Sequence, residues 1–412
     1  MGNKPERITE IAEPEEPGTA ECSEHEHEHD IEPFLPHAEP PDAEPVISSK
    51  AVWFVGFFVY ALSQTYPPAI LLLTLLLAKL LPYMYRANDD AVARRKTWNE
   101  WEKSDRCPKI FKQTPPDFDI FERYWVNSRG MCIFTTMTVP KNGNFKAIVC
   151  SCHGYSETAT YMKRLEHRRL ARAGFACISL EYEGHGRSDG TLALVTDWDR
   201  VVEDVVSFFS ETLKNEVKFQ GKPAFLMGES MGGAVAFCTY QKIPDFFKGV
   251  VFYAPMLKIA EEMKPPQFVT DFLMSIIGKP GSHSLLGTLP LSPSADVISK
   301  VFKSKEKRWF ALLNPLGYRR KPRLSTSREM LYVTGNIEKS MDTFDGPFLV
   351  VHGRADMVTD HKLSKEFYER ARSKDKTIKL YDGMWHNMLH GEPKENNNLV
   401  FNDIIEWLNA RC

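Results

Sequence analysis

Apolar and polar residues follow three regimes along this chain. Residues 1–48 hold almost no apolar cluster and are dominated by acids and prolines. Such a stretch cannot bury enough surface to offset the entropy of ordering, so a disordered tail is predicted. Residues 51–78 then carry no charged side chain. From about residue 119, apolar runs of strand length alternate with stretches of helical period. Strands are predicted at 130–138, 146–152, 175–182, 222–229, 248–255, 347–353 and 376–381, and helices near 159–173, 196–214, 231–242, 361–373 and 398–410. That alternation predicts an α/β domain over 119–412, with a mostly parallel sheet covered by helices on both faces. Residues 257–340 interrupt it with apolar–basic helical pieces and prolines, which predicts a cap inserted over the C-terminal edge of the sheet. Residues 86–118, with a helical stretch from Asp90 to Lys103, are predicted as a juxtamembrane connector.

The segment 49–85 is predicted to enter a membrane, because a span needs about 20 apolar residues. It begins too far from Met1 for an ordinary cleaved signal peptide. Pro67-Pro68 splits it into 51–62 and 69–82. Each half is about 20 Å long as helix, short of a ~30 Å hydrocarbon core. One kinked, tilted span is preferred; a hairpin that dips in and returns remains open and would suit a lipid-droplet monolayer. Lys79, Arg86, Arg94, Arg95 and Lys96 follow the segment, and mostly acids precede it. Under either topology this asymmetry predicts a cytosolic catalytic body, with the endoplasmic reticulum or a lipid droplet as candidate surfaces.

Charge sharpens this picture. The net charge of −2 divides into −12 over residues 1–48 and +10 over the remainder. A basic body suits an anionic membrane surface. No arginine-rich tract or nucleic-acid motif accompanies it, so nucleic acid is not an expected partner. The eight cysteines are scattered and no Asn-x-Ser/Thr sequon occurs, a pattern that leans towards a reducing compartment. His25, His27 and His29 alternate in the acidic tail; a solvated polar tail is preferred there over a metal site. The spacing of His25 and Asp30, shared with some acyltransferases, is attributed to chance.

The chemistry centres on Gly228-Glu229-Ser230-Met231-Gly232, between an apolar strand and a helix-compatible run. This is the G-x-S-x-G pattern in strand–turn–helix context, which presents a serine hydroxyl at the start of a helix. A serine needs a base to take its proton, and the base needs a carboxylate to fix its tautomer. Asp356 follows the apolar strand 347–353, and His386 follows the last strand. Asp360 is an alternative acid, read rather as a helix cap. Asp345 precedes its strand, at the wrong edge. His390 is a weaker candidate than His386; His352, His153 and His185 are read as structural. Tyr155, after the strand 147–152, and Met231 are the expected oxyanion donors through their backbone N–H groups.

His153-Gly154, Gly184 to Gly190, Gly228 to Gly232, His352 to Asp356 and Trp385-His386 together resemble the monoglyceride lipase family of α/β-hydrolases, its plant and algal members most closely. The resemblance covers about 119–412. It implies cofactor-independent hydrolysis of monoacylglycerol under a mobile apolar cap, with Ser230 as nucleophile, Asp356 and His386 as its partners, and Tyr155 and Met231 as oxyanion donors. The tail and apolar segment before residue 100 depart from the family's core. Plant relatives also include esterases for phenolic esters and for lysophospholipids, so both remain alternative substrates; an adaptor on an inactive hydrolase scaffold is the non-enzyme alternative. The oligomeric state has no signature in the sequence.

Overall fold

The computed structural model describes residues 8–11, 89–113, 115–141, 143–259, 266–292 and 298–412. The segment 49–85 predicted to enter a membrane, most of the acidic tail and its histidines lie outside them. Among the described residues, no helix is long and apolar enough to cross a membrane.

The strands are β1 (Ile8–Ile11), β2 (Phe118–Val126), β3 (Cys132–Pro140), β4 (Ala147–Cys152), β5 (Phe175–Leu180), β6 (Ala224–Glu229), β7 (Val250–Tyr253), β8 (Phe348–Gly353) and β9 (Lys376–Tyr381). They form one sheet in the order β1-β9-β8-β7-β6-β4-β5-β3-β2. The run from β5 through β9 is parallel, whereas β3 pairs antiparallel with both β2 and β5. The chain steps outwards from β4 to β5, then returns to the other side of β4 to lay down β6. In open α/β sheets, the strand ends beside such a reversal form a crevice.

The central strands are buried throughout and mostly apolar because both faces are covered. Along β4, Ile148, Cys150 and Cys152 enter one core cluster, and Ala147 and Val149 enter the other, the two-residue period of a pleated strand. Among the described residues, nine longer helices accompany the sheet: α1 (Ala91–Lys103), α2 (Met162–Arg172), α3 (Trp198–Asn215), α4 (Met231–Lys242), α5 (Gln267–Ile277), α6 (Lys305–Leu312), α7 (Leu324–Ser340), α8 (His361–Arg370) and α9 (Lys394–Asn409). Helices α2 and α9 supply side chains to one face of the sheet; α3, α4, α7 and α8 supply the other.

Three elements differ from the sequence reading. Residues 89–113 are no separate connector. Helix α1, capped by the Asp90 side chain accepting from Ala93 N, buries Trp98 and Trp101 with Phe111, Tyr161, Phe302 and Phe310. A short helix with two tryptophans gains more by covering apolar surface than by standing in water. The inserted segment 257–340 also ends inside the body, because Val333 and Ile337 of α7 join the main core. Finally, residues 8–11, within the stretch read as disordered, extend the sheet parallel to β9. An open edge offers main-chain partners that hydropathy does not reveal.

Candidate active site

Ser230 sits between β6 and α4 with φ 51° and ψ −119°. A residue with a Cβ seldom occupies that region, and the surrounding backbone holds it there. Its N–H donates to Tyr253 O (3.1 Å), and its carbonyl accepts from Gly233 N and Met256 N (both 2.9 Å). A Cβ on Gly228 would lie 2.2 Å from Gly232 O, and one on Gly232 would lie 2.2 Å from Cys152 O. Glycine is therefore required on both sides of this turn.

Asp356 follows β8, where both carboxylate oxygens are engaged. Oδ1 accepts from Val358 N (2.7 Å) and Thr359 N (3.1 Å). Oδ2 accepts from His386 Nδ1 (2.7 Å), His352 Nε2 (3.0 Å) and Thr359 Oγ1 (2.9 Å). Burial acts to raise the Asp356 pKa, but the neighbouring His386 and the hydrogen bonds from both histidines hold it well below the usual carboxylate range. His386, beyond β9, is 3% exposed. Burial acts to lower its pKa; the Asp356 charge and hydrogen bond, with a smaller contribution from Glu229, carry it above the ordinary 6.5. With Nδ1 committed to the carboxylate, Nε2 is the nitrogen that can exchange a proton. Since β6, β8 and β9 run parallel in one sheet, Ser230, Asp356 and His386 all emerge at the same edge.

The competing residues fall elsewhere. Asp360 caps α8 by accepting from Lys362 N (2.8 Å). Asp345 is exposed before β8. His352 bridges Ser364 Oγ (2.8 Å) and Asp356, so it orients the carboxylate. His390 lies 3.8 Å from Glu166. His153 donates through Nδ1 to Gly154 O (2.8 Å) and accepts at Nε2 from Tyr182 N (3.2 Å). Burial, with His185 next, lowers its pKa well below the ordinary value. The His185 ring packs against those of His153 and Tyr155.

The loop after β4 abuts the nucleophile turn: a Cβ on Gly154 would lie 3.6 Å from Ser230 Cβ. Gly154 N–H is taken by Glu157 Oε2 (3.1 Å). Among the described residues, no protein acceptor takes the N–H of Tyr155 or Met231, which leaves these two available to a bound oxyanion. Glu157, still partly exposed, is raised to about 8 by desolvation and then by the Glu229 charge.

Two participants were missed by the sequence reading. Thr359 touches Asp356 Oδ2 and His386 Nδ1 (3.2 Å); its position three residues after Asp356 was the available cue. Lys163 contacts Glu166 one helical turn away and Glu229 far along the chain, and only the fold reveals the second contact. A cavity of about 280 Å³ lined by Leu213, Phe219, Lys222 and Phe246 lies by the start of β6, away from this edge.

The family model described as Hydrolase_4, serine aminopeptidase S33, matches residues 143–394. Among curated relatives, caffeoylshikimate esterase of Arabidopsis thaliana is 34% identical over 280 residues, covering 68% of this chain and 82% of the relative. Monoglyceride lipase of Homo sapiens is 30% identical over 309 residues, covering 74% and 96%. Among solved structures, a soluble variant of the Saccharomyces cerevisiae monoglyceride lipase with a substrate analog superposes with a TM-score of 0.61 at 23% identity. It covers 73% of this chain and 96% of that one, which supports the shared fold.

Proposed function

From its membership of the Hydrolase_4 family of α/β-hydrolases, as a monoglyceride lipase-like serine ester hydrolase, we propose that the chain cleaves monoacylglycerol to a fatty acid and glycerol at a membrane surface. The observation that carries the chemistry is the buried His386–Asp356 hydrogen bond at the sheet edge where the strained Ser230 turn also emerges. Ser230 Oγ attacks the ester carbonyl as His386 Nε2 takes its proton. Tyr155 and Met231 N–H receive the negative charge of the tetrahedral intermediate. Collapse breaks the bond to the glycerol oxygen, which leaves with the proton from His386. Water, deprotonated by His386, then attacks the acyl-Ser230 ester and releases the fatty acid.

A lipid substrate is supported by the surface of the inserted segment. Phe268, Ile276, Leu285, Leu286 and Leu291 are exposed there by 42–74%, an apolar concentration unlike an ordinary solvated surface. Together with the uncharged stretch 51–78, it favours a substrate drawn from lipid and a tether by that stretch, with the body facing the cytosol at the endoplasmic reticulum or a lipid droplet. The Arabidopsis relative acts on caffeoylshikimate by its name, so a phenolic ester is the second reading, and a lysophospholipid the third.

Hydrolysis of a panel of monoacylglycerols, lysophospholipids and aryl esters by the full chain decides among them. Monoacylglycerol cleavage at the highest kcat/KM is expected; preference for caffeoyl esters overturns the lipid assignment. Fluorophosphonate labelling is expected to vanish in Ser230→Ala, and persistent labelling of that variant rules out the nucleophile.

A further inference from the structure

We propose that helix α1 is a positioning element for the oxyanion loop, with Asp89 and Arg94 bracing Tyr155 from two sides; this rests on the serine-hydrolase reading of the site.

The first route runs through Arg94. Its side chain is fully buried. The guanidinium donates to Gly186 O (2.6 Å), Ser188 O (2.6 Å), Gly190 O (2.9 Å) and Asp89 O (2.8 Å). Burial lowers its pKa to about 10, so it remains charged at neutral pH. The three loop carbonyls, gathered around one planar cation, specify the curvature of the loop 184–190, which has no regular ladder of its own. That loop carries His185, whose ring meets the Tyr155 ring edge-on at 5.8 Å. It is also bonded to the segment that receives the Tyr155 hydroxyl: Ala193 N donates to Gly184 O (2.6 Å), and Tyr155 Oη donates to Ala193 O (3.1 Å).

The second route runs through Asp89. Its Oδ1 pairs with Arg323 (2.8 Å) and Arg320, both at the root of the inserted segment. Arg323 is itself buried, donates to Leu192 O (2.8 Å) and lies over the Tyr318 ring. Tyr318 packs against the Tyr155 ring at 6.1 Å. Its N–H donates to Ser156 Oγ (3.0 Å), and Ser156 Oγ donates to Tyr318 O (2.7 Å). Ser156 has φ 67°, a conformation that surrounding contacts must hold. Both routes therefore end on Tyr155 and its chain neighbour. The N–H proposed to receive the oxyanion depends on where that residue is held, and a displacement of about 1 Å can cost about 100-fold in rate.

The test uses the full chain in detergent, with a soluble aryl ester and a trifluoromethyl ketone as a tetrahedral mimic. In Arg94→Met and Asp89→Asn, kcat is expected to fall about 10- to 100-fold. KM should move little, and binding of the ketone should weaken by the same factor as kcat. Arg94→Lys should recover part of the loss. Lys96→Ala, an exposed change on the same helix, should match the parent. Unchanged kcat in folded Arg94→Met, or a fall in kcat with ketone binding intact, overturns the positioning role. Should Arg94→Met fail to fold, the same readouts on Asp89→Asn decide. Loss of the positioning role leaves Ser230 labelling intact, whereas labelling that survives Ser230→Ala removes the reading of the site itself.

Discussion

Lys163 Nζ lies 2.6 Å from Glu229 Oε2, immediately behind Ser230 in the chain, and 2.8 Å from Glu166 Oε2. All three residues are no more than 4% exposed. Burial acts to lower the Lys163 pKa, but Glu166, Glu229 and Glu157 carry it well above the ordinary lysine range. Two carboxylates thus depend on one ammonium. Lys163→Met leaves them buried without their cation and should destabilise the fold by about 3–5 kcal/mol. Urea denaturation with an unchanged m-value checks this; a midpoint equal to the parent's would show the pair to be dispensable.

Asp356→Asn should keep the side-chain shape while removing the charge that holds the His386 tautomer. A drop in kcat of about 10³- to 10⁴-fold with little change in KM is expected, by analogy with serine proteases. Steady-state kinetics on one ester suffices. Retained activity would shift the role to another carboxylate.

Thr359→Val removes a hydroxyl that touches both Asp356 and His386 while keeping the side-chain volume. Losing one such hydrogen bond, worth about 1 kcal/mol, should lower kcat roughly fivefold. A parent-like rate would mean that the carboxylate's other donors suffice.

The pH profile follows from the raised His386 pKa. The neutral imidazole is the active base, so kcat/KM should rise with pH through a midpoint above 6.5. Stability moves the other way. The protonated pair's extra stability is complete below the unfolded histidine value and is lost as pH rises through the folded one. A pH–rate curve and melting temperatures over pH 5–9 test both signs at once, and an activity midpoint below 6.5 would contradict the environment described for His386.

Removing residues 1–85 should release an active protein from membranes, because Asp89 and Arg94 remain. Removing residues 1–96 should abolish activity, since both are lost. Sedimentation and an esterase assay on the two truncations give the answer. Membrane retention of the shorter deletion removes the tether assignment, and full activity of the longer one removes any need for α1.

Much of the sheet was readable in advance because buried parallel strands must be apolar along their length. The runs read at 146–152, 222–229 and 347–353 leave few alternatives. Edge strand β2 escaped notice: its outer positions are partly exposed, and Asp119, Glu122 and Arg123 break the pattern. Helix α1 was recognised as a helix, but its attachment was not. Its arginines read as a membrane flank, whereas Arg94 is buried against carbonyls 92–96 residues away.

The amino-acid order alone determined the tight serine turn, the chain order of acid and base, and the strand–helix alternation, because each is a local constraint on backbone or burial. Tertiary structure decided which carboxylate meets His386, where the cation behind Ser230 comes from, and what α1 holds. Those outcomes depend on side chains brought together from distant positions. A hydrogen bond between them leaves no periodicity in either stretch of sequence.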